Sequence, residues 1–343
     1  MARPRPQGRE REIGKRKRRE TSAARDLEMG EASIPTIDLS PFLREDEDGK
    51  KKAMEVITKA FSEYGFFQVV NHGVSLNLMK ETLEISKVFF DYSDEEKSKS
   101  RPSCPNAPLP AGYTRQPAHS RDKNEFFLTF PPGSNFNVFP QNPPQFRDLF
   151  KEMFVQMSKL GVVLESIINE CLGLPTNFLK EFNDDRNSDF LVALRYFPAS
   201  NNDNNGLLEH EDGNIVSLVI QDEVGGLQVH KNGEWIPVVP VEGTIVVNLG
   251  DVIQVLSNKK FKSATHRVVS TEGRNRYSYV FFHNLRGDRW IEPIPQFTKD
   301  IGEPPKYRGF LFKDYQELRM RNKTHPPSRP EDVIHISHYE MDT

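Results

Sequence analysis

Three side chains in the second half of the chain have the types and spacing to hold a metal ion. The stretch "LLEHEDGNIV" sets His210, Glu211 and Asp212 side by side ahead of an apolar run. A histidine beside an acid is more often a hydrogen-bonded turn than a site, so the pair needs support from elsewhere in the chain. On a β-strand alternate side chains share a face. His210 and Asp212 therefore point the same way, and Glu211 points away. His266, in "SATHRVVS", sits on a later predicted strand and offers a third ligand. Two imidazoles and a carboxylate on one face of an octahedron suit Fe(II) and leave three positions open. Zinc accepts the same ligand types, usually in tetrahedral geometry, so the triad by itself leaves the metal undecided.

Beyond His266 comes "RYS", Arg276 to Ser278. Period two again places Arg276 and Ser278 on one face. A guanidinium offers a two-pronged fork to a carboxylate, and a hydroxyl adds a further hydrogen bond. A dicarboxylate such as 2-oxoglutarate could chelate iron through its keto-acid end and reach this anchor with the other.

These residues need a rigid β framework, and the chain supplies one. After Ser188 short β-rich runs recur: "FLVALRYF", "NIVSLVIQD", "GLQVH", "EWIPVV", "TIVVNLG", "VIQVLS", "THRVVS" and "RYSYVFFHN". Asn232-Gly233, in "HKNGEW", is a strong hairpin signal. Short strands at close intervals predict a sandwich or barrel, and about eight of them fit a double-sheet jelly roll. Upstream, helical spacing is read from Ala53 to Tyr64 and over "LNLMKETLEISKVFF", and "SDEE" has capping-box spacing. A long helix is expected from about Pro144 to Cys171, its apolar stripe serving as core. Residues 101–145 read as a long loop, and "FLFKDYQELRMRNK" as a C-terminal helix. The expected fold class is mainly β with flanking helices (α+β).

Together the pattern H-x-D, H, R-x-S resembles the plant 2-oxoglutarate- and Fe(II)-dependent dioxygenases, in the branch of flavanone 3-hydroxylase and flavonol synthase relatives. "IPTIDLSPF" and "EYGFFQVVNHGV" are similar to that family's N-terminal region; "QDEVGGLQV", "GEWIPVVPVEGTIVVNLGD" and "LSNKKFKSATHRVV" are similar to its catalytic barrel. The resemblance implies a double-stranded β-helix braced by N-terminal helices. It implies His210, Asp212 and His266 as catalytic iron ligands, and Arg276 and Ser278 as the 2-oxoglutarate anchor. O2 would be the oxidant and ascorbate the reductant. The implied reaction is hydroxylation, desaturation or oxidative demethylation of a small plant metabolite, flavonoid-like first and hormone or alkaloid next, with release of succinate and CO2. A catalytically inactive metabolite-binding relative is the alternative. Relatives commonly read N-Y-Y-P ahead of the metal strand, with the second tyrosine helping to hold 2-oxoglutarate. Here the run is Arg195-Tyr196-Phe197-Pro198, which sets Phe197 in that tyrosine's place and leaves Arg195 for a structural ion pair.

Composition bounds the rest. The chain has 343 residues, 36% hydrophobic and 28% charged, with a formal net charge of −3. That balance argues against a nucleic-acid binder held by overall charge. No apolar run approaches a membrane span. Cys104 and Cys171 lie far apart, which suits a reducing, cytoplasmic setting better than a disulfide framework. Residues 1–33 form a basic tail expected to be disordered; "KRKRR" at residues 15–19 is a candidate nuclear-import tag and Met29 a candidate second translation start. The expected division is the tail 1–33, an N-terminal helical region 34–185, the jelly-roll core 186–289 and a C-terminal helix and tail 290–343. The expected partner is a small-molecule substrate, and a monomer is expected. His335 and His338 are read as incidental.

Overall fold

Near-continuous apolar runs in the second half of the chain form strands whose two faces are both covered. The computed structural model describes Met1 and residues 33–44, 46–104, 106–200, 204–324, 329 and 332–342. The basic run at 15–19 and Met29 lie outside them. In chain order, β1 (Thr36–Asp38), α1 (Ser40–Leu43), α2 (Glu47–Glu63), β2 (Phe66–Val70), α3 (Leu76–Phe90) and α4 (Asp94–Ser98) come first. β3 (Gly112–Arg115), β4 (Asn124–Thr129) and α5 (Phe146–Leu172) follow. Then come β5 (Phe190–Tyr196), β6 (Asn205–His210), β7 (Val216–Gln221), β8 (Leu227–Lys231), β9 (Glu234–Pro237) and β10 (Ile245–Leu249). After α6 (Asp251–Leu256) the chain forms β11 (His266–Val269), β12 (Arg276–His283), β13 (Trp290–Ile291), β14 (Phe310–Leu311) and α7 (Phe312–Thr324).

Eight strands pair in the order β1-β2-β10-β7-β12-β5-β4-β3, and four in the order β6-β11-β8-β9. The inner face of the larger sheet meets the smaller one: Phe66, Tyr196, Val219 and Val246 pack with Leu227, Val229, Ile236 and Val268. This is the expected jelly-roll core. The outer face of the larger sheet carries Leu218, Ile220, Val247, Tyr279 and Phe281, which join the apolar stripes of α3 and α5 in the main core. The α5 stripe predicted from spacing is buried as core, including Phe146, Phe150, Met153, Leu160 and Leu164. Ser75 and Ser93 cap α3 and α4 through their hydroxyls, and Gly173, at φ 70°, ends α5 in a left-handed turn. Asn232 and Gly233 both adopt positive φ in the β8–β9 hairpin, as the Asn-Gly signal requires. Among the described residues no helix is long and apolar enough to cross a membrane.

Two expectations are corrected. "VIQVLS" is not a strand but the body of α6. Every residue of α6 is buried, so the segment has no solvent-facing side whose period could separate helix from strand. Residues 101–145 are not one loop. β3 and β4 form there and add to the edge of the large sheet, β4 pairing with β5 from Asn124↔Tyr196 to Thr129↔Leu191. The surrounding Pro, Asn and Gly hid the short apolar run of Phe126, Phe127 and Leu128.

A buried polar cluster pins α5 to the sheet. His283, at the end of β12, lies 2.6 Å through Nε2 from Glu165 of α5 and 2.6 Å through Nδ1 from the Arg186 guanidinium. Arginine can only donate, so Nδ1 accepts and Nε2–H donates to the carboxylate. Arg186 also pairs with Glu165 at 3.0 Å and with Asp189 at 2.7 Å. Gly161 leaves room for the ring, since a Cβ there would lie 2.5 Å from His283 Nδ1. Removing one partner strands a buried charge. Glu165→Ala should therefore cost about 3–5 kcal/mol in urea unfolding, and a loss under 1 kcal/mol, roughly the value of a surface pair, would show the cluster to be dispensable.

Candidate active site

The open end of β6 and the start of β11 bring the first two ligands together. His266 is the register partner of His210, and their ring centroids are 4.3 Å apart. Each ring is oriented by its own strand. His210 Nδ1 lies 2.8 Å from the carbonyl of Leu208, and His266 Nδ1 lies 3.0 Å from the carbonyl of Ala264. A carbonyl only accepts, so both Nδ1 atoms carry the proton, and in that tautomer Nε2 is the ring atom that can act as a ligand. Phe66 packs at the edge of the His266 ring, 5.2 Å between centroids, and closes that side.

Asp212 completes the group. Its Oδ1 lies 3.7 Å from His210 Nε2 and 3.9 Å from His266 Nε2. Those gaps are too long for hydrogen bonds and within the ~4.2 Å that two metal–ligand bonds of ~2.1 Å can span. One ligand atom from each residue falls within 4.8 Å of the others. The second oxygen, Oδ2, accepts from Ser217 Oγ at 2.6 Å and Asn248 Nδ2 at 2.8 Å. Burial alone would raise the Asp212 carboxyl, but the two imidazoles and these two donors outweigh it and hold it well below the usual carboxylate range. The donor set and the vacant edge of Oδ1 fit a ferrous ion.

The structure brings Asp212, and not Glu211, to the two imidazoles, by a different route from the one expected. β6 ends at His210, so Asp212 lies beyond the strand and no ladder alternation reaches it. Glu211 turns outward. It accepts from Thr265 Oγ1, next to His266, and meets His335 Nδ1 at 3.2 Å. Burial raises its carboxyl, but the hydrogen bonds from His335 and Thr265 and the nearby Arg319 charge bring it down to about 2. His335 is therefore not incidental: it ties the C-terminal tail to the metal segment.

Arg276 and Ser278 stand on the inner face of β12, with Val280 and Phe282 continuing the row. Arg276 is 2% exposed; among the described residues no carboxylate touches it, and Asp222 feels its charge only at longer range. Its Nη1 reaches Ser278 Oγ at 3.3 Å, its Nη2 reaches Gln221 Oε1 at 3.1 Å, and its Nε has no partner. A buried cation with no carboxylate in contact is costly, and an anionic ligand is the simplest remedy. Tyr196 is the register partner of Arg276, its ring 4.7 Å from the guanidinium carbon. Phe197 is past the end of β5 and lies between the Arg115 and Arg195 guanidinium groups, at 4.9 and 5.2 Å. The tyrosine beside the anchor is thus Tyr196, and the expectation that a phenylalanine replaces it is corrected. Arg195 faces the helices and pairs with Glu125 at 2.7 Å and Asp91 at 3.1 Å, the structural role expected of it.

Sequence reading missed Ser217, Asn248 and Gln221. Each was visible as a polar residue inside an otherwise apolar strand, in "NIVSLVIQD" and "TIVVNLG", and a buried polar residue is the informative exception in such a run.

The fold and this constellation define a non-haem iron oxygenase. Residues 188–285 match the family model of the 2OG-Fe(II) oxygenase superfamily, and residues 34–144 match that of the non-haem dioxygenase in morphine synthesis N-terminal region. The 1-aminocyclopropane-1-carboxylate oxidase 1 of Malus domestica is 32% identical over 84% of this chain and 91% of its own length. The flavonol synthase/flavanone 3-hydroxylase of Arabidopsis thaliana is 29% identical over 84% of this chain and 86% of its own. The crystal structure of JOX2 in complex with 2OG, Fe and JA superimposes with a TM-score of 0.78 at 28% identity, covering 91% of this chain and 90% of that one. The chain belongs to the 2OG-Fe(II) oxygenase superfamily and is an oxidoreductase.

Titration with Mn(II) should separate the two neighbouring acids. Asp212→Ala should abolish binding, and Glu211→Gln, which keeps its shape and its hydrogen bonds, should retain it. Equal loss in both would remove Asp212 from the ligand set.

Proposed function

We propose that the protein is a 2-oxoglutarate- and Fe(II)-dependent dioxygenase acting on a small, flat, apolar metabolite of flavonoid type. The observation that carries the reaction class is the pairing of two features on one barrel. Three ligand atoms lie within 4.8 Å of one another, and a buried guanidinium with no carboxylate in contact and an unpartnered Nε stands on the inner face of the adjoining sheet. His210, Asp212 and His266 hold the ferrous ion. Arg276, steadied by Gln221 and flanked by Ser278 and Tyr196, receives the far carboxylate of 2-oxoglutarate. Iron and 2-oxoglutarate, when bound, supply the activation of O2 that oxidises a substrate C–H bond, with succinate and CO2 as co-products; ascorbate keeps the metal ferrous.

The protein's own part is to orient and to exclude water. Ser217 and Asn248 hold one oxygen of Asp212 so that the other faces the metal. Phe66, Val219 and Val246 of the larger sheet and Val268 of the smaller one keep the barrel dry around the anchor.

The substrate class rests on the row of side chains level with the metal. Phe282 is the register partner of Ser217, whose hydroxyl holds Asp212, and of Phe190 on the other side. The Phe282 and Phe190 rings stack at 4.5 Å with 22° between planes. Both are only partly buried, and they adjoin Leu194, Phe126 and Phe136. A stacked aromatic pair with open edges favours a planar, apolar partner. The similarity to the flavonol synthase/flavanone 3-hydroxylase points the same way. A hormone substrate is the second reading, favoured by the superposition on JOX2 in its complex with JA.

Purified protein supplied with Fe(II), 2-oxoglutarate and ascorbate should consume O2 and form succinate when a flavanone or dihydroflavonol is added. A panel that includes jasmonate, an auxin and 1-aminocyclopropane-1-carboxylate decides between the readings. No substrate-stimulated turnover across the panel would favour a binding protein without catalysis. Arg276→Gln should raise the KM for 2-oxoglutarate by about 10- to 100-fold, as expected for losing a charge-assisted hydrogen-bond pair worth roughly 1.5–3 kcal/mol; an unchanged KM would take the anchor role from Arg276. Phe282→Ala should weaken use of the aromatic substrate while the KM for 2-oxoglutarate stays as it was, and the reverse pattern would place the substrate elsewhere.

A further inference from the structure

The peptide that carries Asp212 is gripped from outside the barrel by the C-terminal helix. Arg319, on α7, donates from Nη1 to the Asp251 carboxylate at 2.8 Å and from Nη2 to the carbonyl oxygen of Glu211. Asp251, the first residue of α6, donates its backbone N–H to the carbonyl of Asp212 at 2.7 Å. The stem of Arg319 lies over Gly213, where a Cβ would come within 3.2 Å of Cδ and Nε. Three successive residues, Glu211, Asp212 and Gly213, thus each touch Arg319 or the acid it holds. Tyr315, one turn earlier on α7, adds its hydroxyl to the same Asp251 oxygen at 2.6 Å.

This grip falls where the sheet offers none. β6 stops at His210 and β7 begins at Val216, so the main chain through Asp212 has no strand neighbour of its own. Ser217 and Asn248 can aim the carboxylate only if its Cα is already in place. A buried carboxylate at Asp251 would also be stranded without a cation, so Arg319 and Asp251 depend on one another.

We propose that Arg319 is a positioning residue for the metal centre: its fork joins the Glu211 carbonyl to Asp251 and so sets the path of the chain that points Asp212 Oδ1 at the ion. The proposal rests on the iron-binding reading given above. Arg319 lies beyond the 188–285 segment that the superfamily model matches, so α7 is here part of the site and not only a cover. A planar fork is needed to span two acceptors on different segments, which a lysine ammonium, reaching one of them, does not do.

The test is isothermal titration of the full-length protein with Mn(II), followed by 2-oxoglutarate at saturating Mn(II). Partners that orient a metal ligand are worth about 10- to 100-fold in metal affinity. Arg319→Met should weaken Mn(II) by that factor, Arg319→Lys by less, and 2-oxoglutarate affinity at saturating metal should not change. Unchanged Mn(II) affinity in Arg319→Met overturns the proposal, and so does an equal loss for Mn(II) and 2-oxoglutarate, which would mark a general loosening of the fold. If Arg319→Met does not fold, Asp251→Asn removes the charge that seats Arg319 and decides in the same way: weaker Mn(II) supports the proposal, equal affinity overturns it. Wild-type protein that binds no Mn(II) would instead sink the iron reading itself, and the positioning role with it.

Discussion

The two oxygens of Asp212 do different work, and the rest of the site follows from that division. Oδ2 is saturated by a hydroxyl and an amide from two adjacent strands, which leaves Oδ1 as the free acceptor between two imidazoles. Ser217 and Asn248 are register partners on β7 and β10, so the antiparallel ladder sets the spacing of the two donors. The same ladder carries the pattern sideways to Phe66 on one flank and Phe282 on the other. A one-residue slip in any of these pairings would turn the donors out of the barrel and leave a buried carboxylate half satisfied. The sheet register is thus a requirement of the chemistry as well as of packing.

The two faces of the large sheet treat charge in opposite ways. On the helix side, Glu125 is wholly buried but meets Lys97 through both oxygens at 3.2 Å, Arg195 at 2.7 Å and the Tyr113 hydroxyl at 2.7 Å. Glu165, His283, Arg186 and Asp189 close a second set of partners there. On the barrel side, Arg276 is as deeply buried and keeps a donor unused. Both kinds of buried charge cost desolvation. Arg195 also leaves its Nε unpartnered but meets two carboxylates, whereas Arg276 touches none, which is the reason for reading it as a ligand position.

Much of this was legible in the chain itself. Arg276 and Ser278 could be read because strand alternation is a local property, and His210, Asp212 and His266 because their residue chemistry is, although the alternation used to choose Asp212 does not extend to it. α3 was read to its ends because its spacing is amphipathic and Ser75 caps it. α6 was not, because total burial erases periodicity, and β3 and β4 were not, because proline and asparagine on either side masked short strands. The place of Tyr196 was misread for a subtler reason: adjacent aromatic residues on a strand exchange faces with a shift of one position, and only pairing with Arg276 decides which one faces in. Asn248, Gln221 and Arg319 act on residues far away along the chain, so no local pattern could assign their partners, and Ser217, though five residues from Asp212, reaches it only through the turn between β6 and β7.

The large sheet is twice as wide as the one opposite it, and the surplus has a use. Past β5 the inner face runs on through Leu128 of β4 and Phe130 just beyond it, where the cover includes Leu109 and Phe136 from irregular segments in place of paired strands. Irregular chain makes no ladder, so its length and composition can be altered without unzipping anything that aims the metal. The barrel therefore separates an invariant engine from an exchangeable nozzle. Retooling this scaffold for a new molecule should begin at that overhang and leave the row from Phe66 to Ser217 alone.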